Sequence, residues 1–195
     1  GGCIPESLAD TPIDYQSLLG VGAMMGSGGM VVLDEDDCMV DIAKYFLSFT
    51  QKESCGKCTF CRVGTRRMLD ILEKITSGNG KMEDLDELEY LAGWTKKGSL
   101  CNLGRSAPNP ILTTLKYFRE EYEAHIAGRC PTGKCAAMIS YYVTDDCIGC
   151  TICAQKCPVG AIKFEPHKKH EIDTAICIKC DACRPACPVD SIIVK

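Results

Sequence analysis

CIGCTICAQKCP, residues 147–158, and CIKCDACRPACP, residues 177–188, are two copies of one spacing, C-x2-C-x2-C-x3-C-P, set thirty residues apart. Three thiolates two residues apart converge on three corners of one iron-sulfur cubane only if the backbone curls around it, and in paired runs of this kind the fourth cysteine serves the other cluster. The spacing therefore predicts one 4Fe-4S cluster on Cys147, Cys150, Cys153 and Cys187 and a second on Cys177, Cys180, Cys183 and Cys157. Pro158 and Pro188 close the two runs. Zinc ribbons use paired cysteines with long gaps between the pairs, a poor match to four thiols in eleven residues.

Working outward, the repeat carries more than its cysteines. DCIGCTICAQKCPVGAIKF answers ICIKCDACRPACPVDSIIV, so each half reads as a short strand, cluster loop, brief helix and strand. Tyr141–Val143, Ala161–Phe164 and Ser191–Val194 supply the strands of a small α+β unit over residues 141–195, similar to a bacterial-type two-cluster ferredoxin. Residues 128–140 before it, GRCPTGKCAAMIS, form a linker whose turn formers predict a separately mobile domain beyond it.

Sixteen cysteines in 195 residues would raise the question of a disulfide scaffold, but their spacing is that of metal sites. Clustered thiolates imply a reducing, cytoplasmic setting. A net charge of −4 and the lack of a basic stripe interleaved with aromatics speak against nucleic acid. No apolar run reaches the length of a membrane span, and the start has no signal-peptide pattern. The missing initiator Met leads us to expect a longer parent chain.

Residues 1–33 are rich in Gly and Pro and read as the remnant of an upstream domain ending in an incoming strand, Met30–Leu33. GSGG, residues 26–29, lacks the spacing and the Lys-Ser/Thr of a phosphate loop. Residues 34–127 then show four amphipathic patterns. Asp36 or Asp37 caps a helix bearing Met39, Ile42, Ala43, Phe46 and Leu47. A second begins near Gly56 and carries Met68, Leu72 and Ile75. Leu85, Leu88, Leu91 and Ala92 mark a third, and Asn109-Pro110 opens a fourth with Ile111, Leu115, Phe118 and Tyr122 on one face. Short connections favour antiparallel neighbours, hence a four-helix bundle.

Within this stretch Cys55, Cys58 and Cys61 repeat the C-x2-C-x2-C spacing without its closure. A cubane needs a fourth ligand, and Cys101 lies in the loop that an antiparallel bundle returns to the start of the second helix. A third 4Fe-4S cluster is expected there, facing the free N–H groups of that helix. Lys57, Arg62, Arg66 and Arg67 add positive field, or form an ordinary solvated face. Cys3, Cys38, Cys130 and Cys135 remain. His125, Cys130 and Cys135 form H-x4-C-x4-C, which suits tetrahedral zinc. Cys38, at the start of the first helix, is the expected fourth ligand, with His167, His170 and Cys3 as the other candidates. A Cys130–Cys135 disulfide, or plain free thiols, is the alternative reading of that loop.

ESCGKCTFCRVGT (53–65), SLCNLGRSAPNPI (99–111) and the opening GGCIPESLADTPIDYQSLLGVGAMMGSGGMVV (1–32) resemble the C-terminal part of the NADH-oxidising flavoprotein subunit of complex I type. The appended ferredoxin is similar to that of the flavin subunit of multimeric NAD(P)-linked iron hydrogenases, electron-bifurcating ones included. The resemblance implies single-electron relay among the three clusters. FMN and NAD(P) would bind only in an N-terminal domain that this sequence lacks, since it has no G-x-G-x-x-G. The implied partners are a hydrogenase catalytic subunit, a small 2Fe-2S thioredoxin-like subunit and ferredoxin. No residue is expected to act as acid, base or nucleophile. A free-standing polyferredoxin, an electron-transfer subunit of an NAD-linked formate dehydrogenase and a zinc-stabilised interaction module are the competing readings.

Overall fold

The computed structural model describes residues 1–194; Lys195, the last residue of the expected ferredoxin domain, lies outside them. The chain divides into two compact units, one running from Gly1 to Met138 and one from Ile139 onward.

The first unit is helical. A short 3-10 turn, Glu6–Leu8, and α1, Tyr15–Gly20, occupy the opening stretch, where Asp14 caps α1 by accepting from the Gln16 and Ser17 amides at 2.9 Å each. The strand expected at Met30–Leu33 does not form. Met30, Val31 and Val32 are 75%, 67% and 83% exposed, and an extended segment without a neighbour to pair with has no ladder to hold it.

Four longer stretches follow: α2, Met39–Lys52; α3, Thr59–Thr76; α4, Met82–Gly98; and, after the short α5, Asn102–Ser106, the pair α6, Asn109–Tyr117, and α7, Arg119–Ile126. The cap of α2 is Cys38 rather than Asp36 or Asp37. Asp34 accepts the Asp36 amide at its carboxylate and the Asp37 amide at its carbonyl, so the aspartates belong to a turn that ends just before α2, and Cys38 stands at the cap position. Gly56 has φ +74, which keeps it outside α3. The single fourth helix expected is broken at Phe118 (φ −133, ψ 35). Thr113 and Thr114 return their hydroxyls to the carbonyls of Asn109 and Pro110 at 2.7 and 2.8 Å, a local competition that bends helices. Beyond the break Tyr122 turns inward, fully buried, its hydroxyl 2.7 Å from that of Thr114.

The core of this unit combines Val40, Ala43 and Leu47 of α2 with Met68, Leu72 and Ile75 of α3, Leu85 and Leu88 of α4, and Ile111 and Leu115 of α6. Except for Val40 these are periodic positions of the sequence, whereas Ile42, Phe46 and Phe118 are only half-buried; each fully buried aliphatic side chain contributes about 1.5–3 kcal/mol. Cys38, Cys130 and Cys135 belong to the same core.

The second unit is small. β1, Tyr141–Val143, pairs antiparallel with β2, Ile192–Val194, in the register Tyr141 to Val194. The third strand expected at Ala161–Phe164 is reduced to one bridge, Ile162 to Ile172. The brief helix appears only in the first half, as α8, Ile152–Lys156; the second half makes turns instead. Backbone geometry nevertheless repeats at the thirty-residue offset. Left-handed φ values occur at Gly149 and Lys179 (67° and 57°), at Thr151 and Asp181 (66° and 60°), and at Gly160 and Asp190 (65° and 47°). Four of these six residues carry a Cβ and still adopt a conformation non-glycine residues rarely take. The same chain path is therefore imposed twice. No helix among the described residues is long and apolar enough to cross a membrane.

Candidate metal centres

All sixteen cysteines are free thiols, which removes the Cys130–Cys135 disulfide as a description of this structure. All but Cys3 gather in four places.

In the second unit two cavities, about 280 and 320 Å3 including their solvent-open mouths, separate the thiols as the crossed spacing assigns them. The first is lined by Cys147, Cys150, Cys153 and Cys187; the second by Cys157, Cys177, Cys180 and Cys183. Backbone N–H groups already point at the crossing cysteines: the Ser191 amide donates to Cys187 Sγ at 3.3 Å and the Ala161 amide to Cys157 Sγ at 3.2 Å. Apolar side chains complete each wall, Val143, Ile148 and Val189 in one and Val159, Ile172 and Ile178 in the other. Four thiols, amide donors to sulfur and a largely apolar lining suit a 4Fe-4S cluster, whose negative charge the amides stabilise. Burial raises the Cys153 thiol, and burial followed by the charge of Cys177 pushes Cys183 up to about 11. A metal-bound thiolate removes the need for that proton.

In the helical unit Cys58 caps α3 and Cys101 caps α5. The turn at Gly56, whose amide donates to Ser54 Oγ at 3.3 Å, brings Cys55 beside them. Cys61, one turn into α3, is buried and 3.3 Å from Ser54 Oγ. The Leu100 and Cys61 amides lower the Cys58 thiol, whereas burial raises that of Cys61, aided by the nearby charges of Cys58, Cys101 and Cys55. The structure thus brings together the four cysteines expected here. Of the cationic residues, Arg66 is engaged by Asp70 at 2.6 Å and Arg67 by Glu87 at 3.2 Å on the outer helix face, the ordinary surface reading. Arg62 instead donates to the Gly56 carbonyl at 3.3 Å and holds the cysteine turn.

The fourth group is the tightest. Cys38, His125, Cys130 and Cys135 are all buried, with one ligand atom from each lying within 4.8 Å of the others. His125 Nδ1 donates to the Glu121 carbonyl at 2.6 Å, because a carbonyl can only accept. Its Nε2 lies 3.3 Å from both Cys38 Sγ and Cys135 Sγ, and the two sulfurs are 3.7 Å apart. Hydrogen bonding to Cys135, then to His125, outweighs burial and holds Cys38 down at about 4, while the shared proton drives Cys135 strongly up. Burial alone would lower His125, but the Cys38 and Glu121 contacts overcome it and raise it to about 9. Such a Cys3His set can hold a metal ion. His167, His170 and Cys3, the other candidates for the fourth ligand, are elsewhere. Cys3 donates its amide to Thr113 at 2.8 Å, and its thiol is pushed up to about 11 by burial. His167 stands exposed at φ +62. His170 is buried with Nδ1 3.6 Å from Cys147 Sγ, in the wall of the first cavity. That placement was not legible in the sequence, where His170 is twenty-three residues from Cys147 with no motif between them.

Residues 41–125 match the NADH-ubiquinone oxidoreductase-F iron-sulfur binding region, and residues 137–194 match a 4Fe-4S dicluster domain. The NADP-reducing hydrogenase subunit HndC of Solidesulfovibrio fructosivorans is 49% identical over 86% of this chain and 35% of its own length. A polypeptide of the NADH-quinone oxidoreductase of Streptomyces coelicolor is 45% identical over 63% of this chain and 27% of its own length. The solved NAD+-reducing [NiFe]-hydrogenase in its H2-reduced state aligns with 53% of this chain and 18% of its own at a TM-score of 0.50 and 36% identity. This chain spans about a third of the length of the curated relatives it matches. In this chain a region similar to the NADH-ubiquinone oxidoreductase-F iron-sulfur binding region is followed by one similar to a 4Fe-4S dicluster domain.

Proposed function

We propose that this chain is a three-cluster electron-transfer module of a multisubunit NAD(P)-linked hydrogenase of the electron-bifurcating kind. In this reading α2, α3, α4 and the broken α6–α7 form a four-helix bundle whose Cys55, Cys58, Cys61 and Cys101 hold one 4Fe-4S cluster, and residues 141–195 form a two-cluster ferredoxin domain. The observation that carries it is the pair of cavities in the second unit, each lined by the four thiols that the crossed spacing assigns to one cluster.

When bound, the clusters supply one-electron transfer; the chain places, screens and tunes them. Cys61 and Cys153 anchor the buried sides of two sites, while Cys55, Cys101 and Cys180 are exposed. Phe60 and Leu100, 45% and 77% exposed beside Cys58 and Cys101, offer an apolar rim from which a seated partner would exclude water. The reading places the electron source in a flavin and nicotinamide domain of the longer relatives. It assigns delivery to ferredoxin or a hydrogenase catalytic subunit, with a small 2Fe-2S thioredoxin-like subunit beside them, in the cytoplasm. No side chain is assigned acid, base or nucleophilic work.

The Cys38, His125, Cys130 and Cys135 group is assigned to structural zinc. Zinc–sulfur bonds of ~2.3 Å and zinc–nitrogen bonds of ~2.0–2.1 Å give tetrahedral edges of about 3.8 Å between sulfurs and about 3.6 Å from nitrogen to sulfur. The 3.7 Å and 3.3 Å separations are close to these. The His125 Nδ1 bond to a carbonyl is the orienting contact that metal-bound histidines use.

Anaerobic purification followed by iron, sulfide and zinc analysis tests the whole. The expected content is about twelve irons and twelve sulfides, four per site, with about one zinc. Cys101→Ser should lower iron toward about eight while leaving the C-terminal EPR signal. Zinc without iron would support an interaction module instead, and unchanged iron in Cys101→Ser would remove that ligand.

A further inference from the structure

The two cavities of the second unit are alike in backbone and unlike in what their side chains give to sulfur. In the first, Ser191 Oγ lies 3.2 Å from Cys187 Sγ, in addition to the Ser191 amide at 3.3 Å. At the repeat position thirty residues earlier stands Ala161, whose amide reaches Cys157 Sγ at 3.2 Å but which has no hydroxyl. The first cavity also contains His170, 3% exposed, with Nδ1 3.6 Å from Cys147 Sγ. A cluster-bound thiolate has no hydrogen to give, so both groups face it as donors. Nε2 of His170 is buried without a partner among the described residues, which favours the tautomer with its hydrogen on Nδ1.

The second cavity has the opposite bias. Where the first has Thr151 in the left-handed position, the second has Asp181, whose carboxylate is held ionised by Arg184 at 2.7 Å and accepts from Tyr141. Its charge is partly offset by that arginine, so the difference between the cavities rests chiefly on the two sulfur-directed donors. Hydrogen bonds to cluster sulfurs stabilise the more negative, reduced state and raise the potential.

Building on the three-cluster reading, we propose that His170 and Ser191 split the two C-terminal sites in reduction potential. The site of Cys147, Cys150, Cys153 and Cys187 lies higher than its repeat mate at Cys157, Cys177, Cys180 and Cys183. The module thereby has a direction: an electron arriving at the second site runs downhill to the first. One electron moves per step, no bond forms or breaks, and both hydrogens stay on His170 and Ser191. These are positioning residues, acting on the sites through Cys147 and Cys187.

The test is an EPR-monitored redox titration of the full, anaerobically reconstituted chain with dithionite as reductant, after iron analysis. The helical unit's couple serves as the internal reference. In the unsubstituted chain the C-terminal sites should reduce in two resolved steps. Ser191→Ala and His170→Leu should each shift the reduced-to-oxidised ratio of the upper step by up to about tenfold, ~59 mV downward, and leave the lower step in place. His170→Gln, which keeps an N–H, should recover part of the shift. Ala161→Ser should move the lower step upward and narrow the gap. Should His170→Leu fail to retain iron, the two small substitutions at 161 and 191 decide. Full iron with both steps unmoved, or moved together, overturns the proposal alone. Absence of iron from the second unit overturns the three-cluster reading and this proposal with it.

Discussion

On the three-cluster reading, replacing Gly104 by Ala should strip the helical unit of iron while sparing the second unit. Gly104 lies in α5, three residues after Cys101, and packs against the opposite side of the same site. A Cβ there would stand 2.6 Å from Ser99 Cβ and 3.0 Å from Cys61 Cβ, with Ser99 Oγ also inside contact distance. Carbon atoms settle at ~3.5–4.0 Å, so Ser99 is too close by about 1 Å and Cys61 by about 0.5 Å. Both are buried, at 2% and 4% exposure, and cannot simply swing out. Overpacking of this degree costs ~1–3 kcal/mol, against ~1 kcal/mol gained in helix propensity. The cheapest relaxation moves the Cys101–Ser106 turn away from Cys61, and that motion spoils the four-thiol geometry before it unfolds the core. Iron should therefore fall from about twelve toward about eight per chain, with the C-terminal EPR signal intact. Gly93→Ala is the control. Nothing lies within 4 Å of a Cβ at this position in α4, so iron should be full and the melting midpoint higher by about 2–4 °C. Full iron and an unchanged helical-unit EPR spectrum in Gly104→Ala would refute the reasoning.

Two further outcomes follow from the buried groups near His125. On the zinc reading, Cys135→Ser should abolish zinc binding, measured by elemental analysis or as an anomalous peak beside Cys130, and should lower the melting midpoint, because the metal that would tie Cys38, His125 and Cys130 together is lost. Retained zinc would exclude Cys135 as a ligand. Burial raises Glu121, so the folded state keeps a proton that the unfolded chain releases from about pH 4.5; the stability contributed by this carboxyl is present below that pH and is lost as pH rises through the raised value. Glu121→Gln keeps an acceptor for the Met39 amide, which now bonds Oε2 at 2.9 Å, and should flatten melting midpoints measured across this window. An identical pH dependence in the variant would show that Glu121 does not report there.

The grouping of the cysteines was legible because their spacing restricts the backbone: three thiols two residues apart admit few chain paths, and the same left-handed positions recur in both halves. Core positions such as Leu72 and Leu88 followed from helical periodicity. What escaped were features set by competition between local bonds. Thr113 and Thr114 look helical in pattern, yet their hydroxyls bend α6 and end it at Tyr117. Asp36 and Asp37 are better capping types than cysteine, but they lie in the turn that Asp34 closes, two residues and one residue before the cap position that Cys38 takes. Met30–Leu33 has strand composition and no neighbouring edge. His170 reaches Cys147 because the segment between the two halves folds back onto the first, where the His167 amide donates to the Gly149 carbonyl at 3.0 Å, a tertiary fact that no spacing encodes.

Cys38 is at once a member of the Cys3His group and the cap of α2, its sulfur 3.5 Å from the Asp41 amide. On the zinc reading, the first turn of that helix is a built-in gauge of metal occupancy. When a metal holds the sulfur in place, the Asp41 amide keeps its acceptor; when chelation frees the side chain to rotate, the amide opens to water. Hydrogen exchange at one backbone position, 41, would then report the state of a site ligated by residues as far along the chain as Cys135, without any spectroscopic signal from the metal itself.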